Sequence, residues 1–340
     1  MGRVAASLAA ALTALALAAC GGGDGAEPDA PSGATLVLDF QPNAVHAPLY
    51  AAARPGGHIA DAGVDLQIRE PSSAADGAKL LETGRADMAI LDVNDLGIAR
   101  ARGLDVVAVA ALVQRPLASV ITADPQRIAT PSDLEGASVG ITGVPSDDAV
   151  LDTVLEAGGV APGSVDRVTI GFAAVPALAA GRVDAATAFW NAEGVELRQE
   201  GIATGEFRVD ELGAPRYPEL VVVARGDRAP DDADVVCPVL DGLSRAYDDL
   251  EQDPDASLDA LLEEVRQADP DSQRAQFAEL IASDAFSPRD DGRANPALTA
   301  EGYRGWFEWA SERGVIGQAA SAETIREGFA IDQIRACATG

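Results

Sequence analysis

The sequence contains few of the residues on which most enzymatic and nucleic-acid chemistry depends. It has one lysine, two histidines, three cysteines and an aromatic share of only 4%. Its 25 lysine and arginine residues stand against 54 aspartate and glutamate residues, which gives a formal net charge of −29. Because so acidic a surface is repelled by a phosphate backbone, we do not expect nucleic-acid binding. Two histidines are also too few for a zinc site built from three.

The scarce nucleophiles lack the sequence context that catalysis needs. The single lysine, Lys79, follows Gly77 and Ala78 in a segment that does not match a P-loop. The segment from Gly136 to Gly140 matches the nucleophile-elbow pattern around Ser138. Both histidines precede this serine, whereas an α/β-hydrolase needs a histidine after it. We therefore expect no catalytic residue, no cofactor and no metal ion.

Residues 1–34 are predicted to lie outside the fold. Residues 1–19 combine one arginine with an apolar run, which is the pattern of a signal peptide. The run ends in Leu17-Ala-Ala-Cys20, which resembles a bacterial lipobox, so Cys20 is the expected lipidation site. An ordinary signal peptide that contains a cysteine is the alternative. Residues 20–34 are rich in glycine, proline and aspartate and are expected to form a flexible, lipid-anchored tether. We expect the protein to be exported and held at the outer face of the cytoplasmic membrane.

Two cysteines remain beyond the tether, Cys237 and Cys337. Export would place them in surroundings where disulfides persist. A bridge between them would tie the start of the C-terminal section to its end. Two separate buried thiols are the alternative.

From Thr35 onward, short apolar runs alternate with stretches of helical periodicity, which is typical of an α/β fold. The length of 340 residues is sufficient for two domains. Strands are predicted at 35–39, 64–68, 88–91, 106–113, 117–122, 138–141, 166–170, 185–189 and 220–224. Helices are predicted at 47–53, 74–82, 94–102, 147–157 and 175–180, and then at about 233–250, 256–267, 271–284, 298–313 and 321–336.

A weak internal repeat divides this pattern into two similar parts. Residues 81–89, LETGRADMA, are echoed by residues 178–186, LAAGRVDAA. In each copy a helix ends at a glycine, Gly84 or Gly181, which suits a left-handed cap. Polar residues follow the next strand, and ligands of open α/β sheets bind beyond the carboxyl ends of strands. We therefore predict two lobes with a ligand cleft between them.

The last apolar strand and the helices beyond it come after the second part, so we expect the chain to return to the first lobe. This predicts a first lobe of residues 35–122 and 224–340, and a second lobe of residues 123–223. The two crossings, near 118–125 and 219–226, would act as a hinge.

Most of the candidate ligand-binding side chains lie in stretches that follow predicted strands, whereas Tyr217 precedes the second crossing. The stretch from Asp39 to Tyr50 offers aromatic faces for stacking and an asparagine that is both donor and acceptor. After the strand at 185–189, a tryptophan with a nearby carboxylate suits an aromatic ring that bears N–H donors. The predicted ligand-binding residues are Asp39, Phe40, Asn43, His46, Tyr50, Asp92, Trp190, Asn191, Glu193 and Tyr217.

Each of these motifs also has a purely structural interpretation. Asn43 can cap a turn, and Trp190 can be a core residue ahead of a helix that begins at Glu193. The loop 142–148 can cap the helix that follows it, or it can contact a ligand. The aromatic residues between 303 and 310 have helical spacing, so we expect them in the core.

The motifs LDFQPNAVHAPLY (38–50) and FWNAEGVEL (189–197) also carry a family resemblance. With further matches over most of residues 35–227, they resemble the thiamine-pyrimidine-precursor-binding branch of the solute-binding lipoproteins of ABC importers. This branch is related to eukaryotic pyrimidine synthases. The resemblance implies a two-lobed α/β fold of the periplasmic-binding-protein type II, closing on a small aromatic heterocycle. It also implies delivery of that ligand to a permease in the membrane, and we expect a monomer without catalytic activity.

Two residues depart from the family pattern and leave the identity of the ring open. Phe40 stands where the family usually has tryptophan, and Pro48 where it usually has a small residue. The alternative ligands are riboflavin or another planar heterocycle, and a small anion such as an alkanesulfonate or nitrate, for which Arg115 is the nearest basic candidate. The cysteine-rich segment of the synthase branch has no counterpart here. A binding protein that signals to a membrane kinase is the non-transport alternative.

Overall fold

A computed structural model describes residues 32–73, 75–144, 146–226, 233–287 and 296–316, together with residues 328 and 337. The predicted signal peptide and the lipidation site Cys20 lie outside the described residues. The same is true of the helix predicted at 321–336, apart from residue 328. Within the described ranges, no helix combines the length and the apolar character that crossing a membrane requires.

The described strands form two separate five-stranded sheets. The first sheet contains β1 (Ser32–Val37), β2 (Val64–Arg69), β3 (Met88–Asp92), β4 (Val106–Ala111) and β10 (Leu220–Arg225). The second sheet contains β5 (Ala118–Thr122), β6 (Ser138–Ile141), β7 (Asp166–Thr169), β8 (Ala185–Phe189) and β9 (Gly205–Arg208). All of them except β9 match predicted strands. β1 begins at Ser32, so residues 32–34 belong to the first strand and not to the predicted tether. β9 was not predicted because its sequence, GEFR, has two charged residues and no apolar run.

The two sheets repeat one topology. Their strand orders are β2-β1-β3-β10-β4 and β7-β6-β8-β5-β9. The first three strands of each order run parallel, and the fourth runs antiparallel to both of its neighbours. Gly84 and Gly181 occupy matching positions, with φ values of 65° and 62°. The internal repeat and its left-handed helix caps are therefore confirmed.

Helices connect the strands and cover the sheets. They are α1 (Ala47–Ala53), α2 (His58–Asp61), α3 (Asp76–Glu82), α4 (Val93–Ala101), α5 (Ser146–Ala157), α6 (Ala174–Ala179), α7 (Glu193–Gln199), α8 (Ala233–Gln252), α9 (Pro254–Glu264), α10 (Pro270–Ala282) and α11 (Ala300–Glu312). α8 and α9 pack against α1, which follows the first strand. Trp306 of α11 is fully buried, and its Nε1 donates to Asn94 Oδ1 of α4 at 2.7 Å. The chain thus returns to the first lobe, and the predicted core position of this tryptophan is confirmed.

The chain crosses between the sheets at residues 112–117 and 209–219. β5 pairs with β8 and β9 in the second sheet, and β10 pairs with β3 and β4 in the first. The boundary predicted at residue 122 would place all of β5 with the first sheet. The boundary predicted at residue 224 would place most of β10 with the second sheet. An apolar run indicates a buried strand, but its partners are determined by pairing with residues far away in the chain.

A disulfide joins Cys237 of α8 to Cys337, whose Cα atoms are 5.2 Å apart. The two residues are separated by 100 positions in the sequence. Cys337 packs against the hydrophobic core of the first lobe. The two cysteines therefore form a disulfide in the structure and are not two separate buried thiols.

Candidate ligand-binding cleft

A cleft lies between the two sheets, at the carboxyl ends of their parallel strands. It contains about 850 Å³ of empty space, including the part that is open to solvent. Its lining residues follow β1 and β3 in the first sheet, and β6, β7 and β8 in the second. The predicted position of a cleft between two lobes is therefore confirmed.

Aromatic rings line part of the cleft. Phe40, after β1, meets Phe172, after β7, edge to face, with ring centroids 4.7 Å apart and an interplanar angle of 84°. Phe189, at the end of β8, lines the same space. Because Phe40 and Phe172 come from different lobes, their contact spans the cleft. The rings offer apolar faces that suit a planar ligand.

Glu193 is the first residue of α7 and lines the cleft. Its Oε2 accepts a hydrogen bond from the backbone N–H of Phe189 at 3.1 Å. Burial raises the pKa of Glu193 from 4.5 to about 7, and the negative charges of Glu196 and Asp39 add to the rise. A carboxyl group with this pKa is protonated in about half of the molecules near pH 7.

Asp39 is held in place by a fully buried histidine. His46 Nε2 lies 2.9 Å from Asp39 Oδ1, and Nδ1 of the same ring accepts the backbone N–H of Asn43 at 3.2 Å. Because Nδ1 is an acceptor here, we assign the ring proton to Nε2, which donates to Asp39. Asn43 in turn caps the turn, since its Oδ1 accepts the backbone N–H of Val45 at 3.0 Å. His46 and Asn43 therefore support Asp39 from behind.

Glu219 joins the two crossings. Its fully buried Oε2 accepts the backbone N–H groups of Leu117 at 2.7 Å and Ala118 at 3.1 Å. Its side chain also makes a hydrogen bond with Asp92, which lines the cleft. Burial, followed by the negative charge of Glu219, raises the pKa of Asp92 well above its usual value. We assign the proton shared by the two carboxyl groups to Asp92, which donates it to Glu219.

Asp147, in the first turn of α5, is held by three hydrogen bonds. Its Oδ2 accepts the Thr142 hydroxyl at 2.7 Å and the backbone N–H of Gly143 at 2.9 Å. Its Oδ1 accepts the Thr187 hydroxyl at 2.9 Å. Thr142 and Asp147 also line the cleft, so the loop 142–148 is placed where its residues can contact a ligand.

The charged residues of the cleft lining have a single sign. Five lining residues carry carboxyl groups, and the described lining includes no lysine, arginine or histidine. Arg115, the candidate for an anion site, instead pairs with Asp210 at 2.8 Å and donates to the Ser283 carbonyl at 3.1 Å. The cleft therefore favours N–H donors and cations and repels small anions.

Residues 43–257 match the family described as NMT1/THI5 like. The chain belongs to this family. A formylaminopyrimidine-binding protein of Halalkalibacterium halodurans is 31% identical over 252 residues, which cover 74% of this chain and 76% of that protein. A 4-amino-5-hydroxymethyl-2-methylpyrimidine phosphate synthase of Schizosaccharomyces pombe is 22% identical over 258 residues, 73% of this chain and 74% of the synthase. The relatives thus include both a binding protein and an enzyme.

The fold of this NMT1/THI5-like protein also occurs in solved structures. The alkanesulfonate-binding protein SsuA of Xanthomonas axonopodis pv. citri, bound to MOPS, matches with a TM-score of 0.67. The match covers 88% of this chain and 98% of that chain at 17% identity. At this identity the likeness shows the fold alone, and it confirms the predicted two-lobed α/β fold of periplasmic binding proteins.

Four of the ten residues predicted to bind ligand line the cleft of the NMT1/THI5-like protein. They are Asp39, Phe40, Asp92 and Glu193. Trp190 does not line it. It is fully buried, and its Nε1 donates to the Pro116 carbonyl of the first crossing at 3.0 Å. Phe189, the last residue of β8, lines the cleft, whereas Trp190 follows the strand in a turn and packs against the first crossing.

The other predicted ligand residues also lie away from the lining, with Asn43 and His46 behind Asp39. Tyr217 is buried and stacks on Trp309, with ring centroids 5.6 Å apart. Burial raises the pKa of Tyr50 to about 12, and the charges of Glu70 and Glu264 add to the rise, which places this phenol among acids outside the cleft. Asn191 is fully buried, and its amide atoms have no hydrogen-bond partner within the described ranges.

The lining residues that the sequence did not predict as site residues include Phe172, Asp147 and Asp95. Phe172 follows β7 as Phe40 follows β1. Because ligands bind beyond the carboxyl ends of strands, its position could have been predicted in the same way. Asp147 follows β6 and had been considered as a helix cap. Asp95 lies on α4 and faces Ser146 of the second lobe, a neighbour that only the folded chain reveals.

The raised pKa of Glu193 makes the ligand-free protein more stable at mildly acidic pH. The group titrates near 4.5 when unfolded and near 7 when folded, so between these values the folded state binds more protons. The free energy of unfolding therefore falls as the pH rises through this window, by about 2 kcal/mol between about pH 5.5 and 7. Urea denaturation at a series of pH values measures the slope. Glu193→Gln should flatten it in part, because Asp92 and Asp95 keep their raised pKa values. An unchanged slope would contradict the assignment.

Proposed function

We propose that the protein is the solute-binding component of an ABC importer that captures an aminopyrimidine precursor of thiamine and delivers it to the permease. The observation that carries the proposal is the cleft, in which aromatic rings stand beside carboxyl groups and no basic residue belongs to the described lining. The formylaminopyrimidine-binding relative supports the same class of ligand.

An aminopyrimidine complements this cleft in shape and in hydrogen bonding. Its planar ring suits the apolar faces of Phe40 and Phe172. Its amino group and the adjacent ring nitrogen form an edge with one donor and one acceptor. The Glu193 carboxyl can accept from the amino group and share a proton with the ring nitrogen, since its pKa is about 7. Asp39, oriented by His46, offers a second acceptor.

Small anions fit the cleft poorly. A sulfonate or a nitrate is normally held by arginine, lysine or a set of N–H donors. Here the charged side chains of the described lining are all acidic, and Arg115 is engaged with Asp210. The similarity to the alkanesulfonate-binding protein therefore supports the fold of this protein but not its ligand.

We also propose that the protein binds its ligand without converting it. The synthase relatives are named as enzymes. However, this sequence has three cysteines and no cysteine-rich segment of the kind that marks the synthase branch. Export, lipid anchoring at Cys20 and a monomeric state complete the proposal, and the first two rest on the signal-peptide and lipobox pattern of residues 1–20. A role in signalling to a membrane kinase is the alternative.

Glu193→Gln is expected to weaken binding of 4-amino-5-hydroxymethyl-2-methylpyrimidine by about 10- to 100-fold. The change removes a charge-assisted hydrogen bond worth about 1.5–3 kcal/mol. Isothermal titration calorimetry measures the effect. Glu200→Gln is the matched control, because it alters the same type of side chain at an exposed position at the end of the same helix. Equal affinity in Glu193→Gln and the wild type would contradict the proposed site.

A further inference from the structure

Helix α10 lies along the boundary between the two lobes. Its buried residue Phe277 belongs to the hydrophobic core of the first lobe. Near the start of the helix, the Asp271 carbonyl accepts the side-chain amide of Gln199 of the second lobe at 3.1 Å. Just beyond its end, the Ser283 carbonyl accepts Nη1 of Arg115 of the first crossing at 3.1 Å. At 1.5 Å per residue, these two contacts are about 18 Å apart along the helix, so α10 follows the boundary over most of its length.

Between these two contacts, Glu279 of α10 pairs with two arginines of the second lobe. Its Oε1 accepts Nη2 of Arg208, the last residue of β9, at 2.7 Å. Its Oε2 accepts Nη2 of Arg198 on α7. Both arginines also pair with Glu206 of β9, and the distance from Arg208 Nη2 to Glu206 Oε2 is 2.9 Å. These four residues form a ring of ion pairs, here called the α10 network, to which the first lobe contributes Glu279.

The α10 network is connected to the part of the second lobe that lines the cleft. Arg198 lies on α7, whose first residue is Glu193. The guanidinium of Arg208 lies over the ring of Trp190, with its Cζ 4.2 Å from the ring centroid. Trp190 is fully buried and directly follows Phe189. The network therefore holds, from outside the cleft, the stretch of chain that carries two of the lining residues.

A ligand can enter the cleft only when the lobes move apart, because Phe40 and Phe172 meet across it. Movement about the two crossings displaces α7 and β9 relative to α10. Glu279 is fixed to the first lobe, whereas both of its partners belong to the second, so this movement separates the charges of the network. The network is thus complete in the orientation in which the two rings are in contact.

We infer that the α10 network is a latch that forms when the lobes close, so that Glu279 controls ligand affinity without contacting the ligand. The inference rests on the proposed function only for the choice of ligand. Glu279 is not part of the cleft lining, so it is a positioning residue whose effect passes through α7 and β9. A ligand that binds the closed state loses affinity in proportion as that state is less populated.

The latch makes ligand affinity depend on salt even for an uncharged ligand. The side chains of Arg198 and Glu279 are 37% and 26% exposed, so dissolved ions reach the network and screen it. Arg313, which follows α11, pairs with Glu156 of α5 and forms a second bridge between the lobes. Loss of the α10 network should therefore weaken the closed state without abolishing it.

Calorimetric titration of the full chain with 4-amino-5-hydroxymethyl-2-methylpyrimidine tests the inference, above neutral pH where the ring is uncharged. Each protein is titrated at an ionic strength of about 0.01 M and again in about 1 M NaCl. At low ionic strength we expect Glu279→Gln to weaken binding about three- to tenfold. In 1 M NaCl the difference from the wild type should fall below about twofold, because the salt already screens the latch.

Two further variants show whether the effect belongs to the network. Arg198→Gln should also weaken binding, and combining it with Glu279→Gln should cost less than the sum of the two single changes, because they share one ion pair. Glu263→Gln is the matched control. It removes a glutamate that pairs with Arg54 at 3.7 Å within the first lobe, and it should change neither the affinity nor its salt dependence.

Small-angle X-ray scattering of the ligand-free protein provides a measurement that needs no ligand. At low ionic strength, Glu279→Gln should have a larger radius of gyration than the wild type, because fewer of its molecules are closed. Salt should raise the radius of the wild type toward that of the variant. The affinity responds most when the closed state is rare, and the scattering responds most when it is common, so the two measurements complement each other.

The outcomes separate this inference from the proposed function. If Glu279→Gln folds by circular dichroism and keeps both the affinity and the radius of gyration of the wild type, the inference is overturned and the proposed function stands. A loss of affinity that is equal at low and high salt also overturns it, since charge is then not the cause. If the wild type does not bind the pyrimidine, the proposed function fails, and the scattering comparison alone decides for or against the latch.

Discussion

Glu219→Ala is expected to lower the free energy of unfolding by about 3–5 kcal/mol, although residue 219 is not part of the cleft lining. The Glu219 carboxylate is fully buried and accepts the backbone N–H groups of Leu117 and Ala118. Removing it leaves both donors buried without a partner, and each such group costs about 1–3 kcal/mol. Asp92 also loses the acceptor of its hydrogen bond. Urea denaturation near pH 7 measures the loss.

Two further variants show whether this effect belongs to the hydrogen bonds of the hinge. Glu219→Gln keeps one carbonyl oxygen, so it should recover part of the stability. Glu211→Ala removes an exposed glutamate from the same crossing and should change stability by no more than about 0.5 kcal/mol. A loss below about 1 kcal/mol in Glu219→Ala would show that the carboxylate does not join the two crossings.

Loss of the disulfide is expected to have an effect of similar size. The bridge between Cys237 and Cys337 closes a loop with a sequence separation of 100 residues. For such a loop the restricted unfolded state is worth about 4.7 kcal/mol in the chain-entropy model, and measured losses are about 2–5 kcal/mol. The bridge also fixes residue 337 against the core of the first lobe. The double variant Cys237→Ser, Cys337→Ser should therefore unfold at a lower urea concentration than the wild type.

A reductant provides the control for the disulfide prediction. Dithiothreitol should lower the stability of the wild type toward that of the double serine variant and leave the variant unchanged. Equal stability of the wild type with and without reductant, together with two free thiols on labelling, would show that the bridge does not form in solution.

Much of the fold could be predicted because each buried strand appears in the sequence as a short run of apolar residues. The strands from β1 to β8 have matching predictions, and so does β10. The short strand β9 was missed, since GEFR has no such run. The sequence also could not predict to which of the two sheets β5 and β10 belong. It depends on pairing with distant residues, and an apolar run looks the same in either sheet.

Prediction of the candidate site was limited in the same way, because the sequence does not show which distant residues come into contact. Asp39, Phe40, Asp92 and Glu193 could be predicted because each follows or ends a strand at the carboxyl edge of a sheet. Trp190 was misplaced, since neighbouring aromatic residues give no sign of which one faces the cleft.

Glu219 was not recognised at all, because a glutamate is expected at the surface unless its partners are known. Its partners are backbone N–H groups of the other crossing, about one hundred residues away in the chain. His46 was predicted to bind ligand, but it is absent from the lining and its contact with Asp39 makes it a support for the site.

The central claim is that the cleft binds an aminopyrimidine and not an anion, and a paired titration of the wild-type protein tests it most directly. Calorimetry with 4-amino-5-hydroxymethyl-2-methylpyrimidine and, separately, with an alkanesulfonate compares the two classes of ligand on one sample. We predict a saturable isotherm with one site for the pyrimidine, a raised melting temperature in its presence, and no measurable binding of the sulfonate. Saturable binding of the sulfonate together with no binding of the pyrimidine would contradict the claim.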